Sequence, residues 1–114
     1  MNIKAIFHID ESTKWNLLLK NVQNLVQAVE TETSKIEVLA NSETVKLYSR
    51  SNKENGLPVI QELSARGVHF VACNNALREF GITQEQLESF VYVVPVGVFE
   101  LIEKQMEGYA YIKP

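Results

Sequence analysis

Few side chains in this sequence could do covalent chemistry. One stands out, Cys73, the single cysteine, in the stretch HFVACNNALREFGI at positions 69–82. An apolar run delivers its thiol to a point where the pattern changes to Asn74-Asn75 and then to a helix. A thiol at a helix start meets unsatisfied amides and the positive end of the helix dipole, and both favour the thiolate, the reactive form. That suits nucleophilic or sulfur-transfer work. A packing role stands beside it, because free cysteine is among the most buried residue types. His8 and Asp10 lie late in another apolar run, where His8 is a candidate proton donor or acceptor beside the thiol. The alternatives are a histidine bonded to a backbone carbonyl and an Asp10-Glu11 pair that caps or charges the start of the first helix.

Several chemistries have no support. One cysteine excludes an intramolecular disulfide framework and a multi-cysteine zinc site, and His8 and His69 share no metal-binding spacing. No metal or cofactor is assigned. Neither G-x-G-x-x-G nor G-x-x-x-x-G-K-[ST] occurs, so nothing cradles a nucleotide phosphate. HIDES faintly suggests the acidic cluster of a phosphoacceptor domain, but the third strand ends in cysteine where such a domain places aspartate. A Cys73-His8-Asp10 hydrolase has no oxyanion-hole signature. Net charge is −3, without a basic block, which argues against nucleic-acid binding. The apolar start MNIKAIFHIDES is too short for a signal peptide or membrane span, so the expectation is a cytoplasmic protein.

The elements that must position these residues follow from periodicity. The chain has 114 residues, 46% of them hydrophobic, which suits one domain over 1–114 with a proper core. Strands are expected at 3–9, 35–41, 68–73, 90–94 and 109–113, the first four being short apolar runs. Trp15, Leu18, Leu19, Val22, Leu25, Val26 and Val29 trace one face of a long helix. SETVKLYSR reads as a short helix begun by Ser42. Pro58 and Gly67 bracket another helix, Gly81 stops a short one after Cys73, and Thr83 is an N-cap. GVFELIEKQMEG reads as a helix with Val98, Leu101, Ile102 and Met106 turned inward and Gly108 as its stop. Strands alternating with helices predict an α/β domain, a mainly parallel sheet between two helical layers. In such sheets ligands collect at the carboxyl ends of the strands. That rim gathers His8 and Asp10, Asn41 and Ser42, Cys73 with Asn74 and Asn75, and Pro95 with Gly97. His69 falls early in its strand and reads as structural; Tyr109 and Tyr111 read as packing.

GVHFVACNNALREFGI followed by VYVVPVGVFELIEKQMEGYAYIKP resembles the DsrE/DsrF-like family of intracellular sulfur-oxidation and sulfur-relay proteins. The features that carry the resemblance are Gly67, Val68, Cys73, Asn75, Leu77, Gly81, Pro95, Gly97, Val98, Gln105, Glu107, Gly108, Tyr109, Tyr111 and Pro114. About half the chain fits closely; the rest fits loosely, through Trp15 and ANSETVKLY. The resemblance implies a three-layer α/β/α sandwich with a mainly parallel sheet of about five strands. It also implies a homo-oligomer, commonly a trimer or hexamer. In sulfur-relay members the matching cysteine carries sulfur as a persulfide between partner proteins, so Cys73 is the implied sulfur bearer. Asn74, Asn75 and helix amides would stabilise the anion, with His8 assisting proton transfer and Asn41 and Gly97 completing the ligand-facing rim. A carrier passes sulfur on without turning over as an enzyme does, and enzyme status is left open. The competing expectation is a non-catalytic oligomeric module that binds a small ligand or protein, with Cys73 structural. Two departures lie on the rim. Asn41-Ser42 stands where many relatives have His-Gly or Asn-Gly, and Val96 stands where many have a small residue.

Overall fold

The structure, a computed structural model, describes residues 2–114. Its centre is a five-stranded sheet in the order β4-β3-β2-β1-β5, every neighbouring pair parallel. The strands are β1 (Lys4–Ile9), β2 (Lys35–Ala40), β3 (His69–Cys73), β4 (Val91–Val94) and β5 (Ala110–Ile112). Parallel neighbours need long crossovers, and helices supply them: α1 (Trp15–Ala28), α2 (Leu57–Ala65), α3 (Asn74–Glu79) and α4 (Gly97–Met106). Ser42–Tyr48, expected as a short helix, is a 3-10 helix. Ser42 opens it at φ 55, the one left-handed non-glycine residue among those described. This is the position where the family resemblance leads one to expect glycine, which takes such a backbone without strain.

The two faces of the sheet are covered unequally. Alternation along the strands puts Phe7, Val38 and Phe70 on one face and Ile6, Leu39 and Val71 on the other. The first face carries α1, α2, α3 and the 3-10 helix. Trp15, Tyr48, Phe70 and Phe90 meet there edge to face, with ring centroids 6.0–6.5 Å apart. The stripe of α1 lies on it as its spacing predicts, with Trp15, Leu18, Leu19, Val22 and Val26 buried. The third layer is α4 alone, and its buried contribution is Leu101 with Gly97. Val98, Ile102 and Met106, expected inward, are 58%, 50% and 84% exposed, and Phe99 joins them at 62%. One helix over a five-stranded face offers no neighbour for its flanks, so only its sheet-facing line is covered. No helix among the described residues is long and apolar enough to cross a membrane.

Candidate functional site

Part of the expected rim gathers at the start of α4. Cys73 ends β3, and α4 begins after β4, the neighbouring strand, so the start of α4 crosses above the cysteine. There the Gly97 N–H donates to Cys73 Sγ at 3.3 Å. Such a bond is strongest when the sulfur is anionic. The close approach depends on a missing side chain. A Cβ on Gly97 would lie 3.0 Å from Cys73 Cβ, 3.4 Å from Sγ and 3.5 Å from Asn41 Cβ. Glycine is thus what lets the amide reach the sulfur.

A second polar chain runs beside it. His8 Nδ1 pairs with the Tyr111 hydroxyl at 2.7 Å, and Nε2 pairs with Asn41 Oδ1 at 3.0 Å. A carbonyl oxygen only accepts, so Nε2 carries the proton and Tyr111 donates to Nδ1. Strand order explains the pairing: β1 lies between β2, which leads into Asn41, and β5, which holds Tyr111. Both ring nitrogens of His8 are therefore engaged. The histidine has no direct bond to Cys73; between them stands Asn41, whose Cβ lies 3.5 Å from where a Cβ on Gly97 would be.

Of the residues expected at the rim, the structure brings together Cys73, Gly97, Asn41 and His8. Asn74 is half-buried beside Cys73. Asn75 is exposed and its Oδ1 accepts from Arg78 Nη2 at 2.7 Å, along α3. The donor to sulfur thus comes from α4, and the Asn75 amide is turned to Arg78. Asp10 does not cap the first helix: it pairs with Lys113 at 3.0 Å, while Glu43 receives the Ser12 amide and hydroxyl, each at 2.7 Å. Tyr111, read from sequence as packing, belongs to the site. Cys73 itself is 6% exposed. Val96, next to Gly97, is solvent-exposed. Among the described residues no group of three or more His, Cys, Asp or Glu is arranged to hold a metal ion.

A parallel α/β sheet with a cysteine at the carboxyl end of its third strand is the arrangement expected from sequence; the amide that meets the sulfur comes from α4 and not from the helix after Cys73. The chain belongs to the DsrE/DsrF-like family, whose sequence pattern matches residues 4–114. Among solved structures it is similar to protein MTH1491 of Methanobacterium thermoautotrophicum, described as of unknown function. The two are 38% identical with a TM-score of 0.90, over 99% of this chain and 100% of that one. The fold also matches BT1422 of Bacteroides thetaiotaomicron, a conserved protein of unknown function, at 19% identity and TM-score 0.75 over 97% and 94% of the two chains. It matches the ychN protein of E. coli at 17% identity and TM-score 0.75, with both chains covered in full. No curated protein matches significantly.

Proposed function

We propose that the chain is a sulfur carrier of the relay type, with Cys73 holding sulfane sulfur as a persulfide between a donor and an acceptor protein. The Gly97 N–H aimed at Sγ at 3.3 Å carries this reading, because a glycine kept at van der Waals contact to deliver an amide to sulfur suits a sulfur that bears charge. In the loading step the Cys73 thiolate attacks the outer sulfur of a donor persulfide R–S–SH. A new S–S bond forms to Cys73, the donor's S–S bond breaks, and the donor leaves as R–S⁻. Sulfur and charge both balance without an oxidant. His8, held by Tyr111, fixes Asn41 against Gly97 and so keeps the amide on target. Copies of the chain meet, in this reading, through the exposed apolar side of α4, which carries Val98, Phe99, Ile102 and Met106.

The test is incubation of the folded protein with a persulfide donor, followed by intact-mass measurement. A gain of one sulfur atom on the wild type, absent in Cys73→Ser, is expected. A thiol that neither loads nor alkylates until the protein unfolds would sink the carrier. The second reading, an oligomeric ligand- or protein-binding module in which Cys73 only packs, draws on the 6% exposure of that residue. It requires Cys73→Ala to leave binding and assembly intact.

A further inference from the structure

Three side chains far apart in sequence are joined end to end on the α4 side of β1, and sulfur transfer at Cys73 leaves their own reactivity unused. Tyr111 of β5 donates to His8 Nδ1 at 2.7 Å, and His8 Nε2 donates to Asn41 Oδ1 at 3.0 Å. A hydroxyl on one imidazole nitrogen and an acceptor on the other is the order nucleophile, base, orienter. The Asn41 carbonyl fixes the proton on Nε2, so the nitrogen that faces the phenol is free to take another. Register places the pair: Tyr111 lies level with Ile6, and Ile6 and His8 leave the same face of β1.

The other three tyrosines lack this arrangement. Tyr48 is buried, with its hydroxyl on the Val38 carbonyl. Tyr109 offers its ring to Lys4 and Lys104. Tyr92 is 56% exposed against 42% for Tyr111, its ring lies 5.0 Å from that of His69, and no hydrogen bond among the described residues holds its hydroxyl. Tyr111 alone combines an exposed side chain with a buried imidazole on its oxygen, and it does so on an edge strand. Lys113 lies two residues further on, on the same side of the extended chain. Its ammonium is 3.0 Å from Asp10 and within electrostatic reach of the Tyr111 oxygen. A fixed positive charge there favours a phenolate, and equally the oxyanion formed when a carbonyl is attacked.

We infer that Tyr111 is a nucleophile for activated acyl groups, with His8 as its general base and Asn41 as the positioning residue. Tyr111 Oη attacks the carbonyl carbon of an aryl ester. The Oη–C bond forms and the bond from that carbon to the aryl oxygen breaks. The phenol proton passes to His8 Nδ1 and on to solvent, the aryl group leaves as a phenolate, and Tyr111 is left as an acyl ester. No oxidant or reductant enters. Neither Cys73 nor the Gly97 amide takes part, so failure of this inference leaves the sulfur-carrier reading standing, and persulfide loading tests that reading separately.

The experiment is incubation of the full chain with p-nitrophenyl acetate at about pH 7.5, where an ordinary tyrosine is neutral. Nitrophenolate release gives the rate, and peptide mass mapping locates the acetyl group. Acetylation of Tyr111 at least about tenfold faster than that of Tyr92 is expected, since only Tyr111 has a base. Tyr111→Phe should remove the fast phase, and His8→Gln should slow it about a hundredfold. Asn41→Asp keeps an acceptor for Nε2–H and should retain the fast phase, whereas Asn41→Leu should lose it. A purely structural role for these bonds predicts slow and equal labelling of both tyrosines. Where the His8 or Asn41 variants fail to fold, the ratio of Tyr111 to Tyr92 labelling in the wild type decides. Equal labelling, an unlabelled Tyr111, or an unchanged rate in folded His8→Gln would each overturn the proposal.

Discussion

Helices α1 and α4 have the same kind of apolar periodicity, and the fold uses them in opposite ways. In α1 the stripe is buried by the sheet and by α2 beside it. In α4 one line faces the sheet, while Val98, Phe99, Ile102 and Met106 face outward. Periodicity specifies that a helix has an apolar side. The number of neighbouring elements decides whether that side is covered within the chain. The crowded face is therefore the source of stability, and the thin face holds Asn41, His8, Tyr111 and Glu37, with Cys73 meeting the start of α4 at its edge.

The contrast can be broken by substitution. Phe70→Ala, beneath Trp15 and Tyr48 on the crowded face, should cost about 3–5 kcal/mol in urea-unfolding experiments. A loss under about 1 kcal/mol would mean that the aromatic cluster is not the core. On the thin face, Gly97→Ala drives a methyl group to within 3.0 Å of Cys73 Cβ. It should cost about 1–3 kcal/mol, as overpacking does, and slow the loading or alkylation of the thiol. Unchanged thiol kinetics in that variant would remove the amide from the mechanism. Ser42→Gly should gain about 1 kcal/mol by relieving the left-handed backbone at φ 55; a lower urea midpoint would count against strain there. Phe99→Ser should change the stability of an isolated chain by less than about 0.5 kcal/mol. Its effect should appear in sedimentation instead, as dissociation of an assembly formed through α4.

The limits of sequence reading follow the same division. Strand positions, the stops at Gly67, Gly81 and Gly108, and the placement of Cys73 at a strand end are local, and each was legible. The partners of the site residues were not. Tyr111 meets His8 because β5 lies beside β1, and strand order is not written in periodicity. Gly97 reaches Cys73 because α4 crosses the end of β3. KIEVLA reads as a strand, and nothing in its pattern shows that Glu37 is a buried acid under α4. Ser42 gave a signal in the departure from a glycine-bearing pattern, and its positive φ is the physical reason for that pattern.

The pairing of β1 with β5 has a consequence for synthesis. His8 and Tyr111 are separated by 103 positions, as are Lys4 and Glu107, whose carbonyl accepts from the Lys4 ammonium at 3.1 Å. As the chain emerges from the ribosome, β1 can find β2 early, but its other edge stays unpaired until β5 has been made. For most of translation the nascent protein thus presents an open strand flank rich in isoleucine and phenylalanine, the kind of surface that chaperones hold.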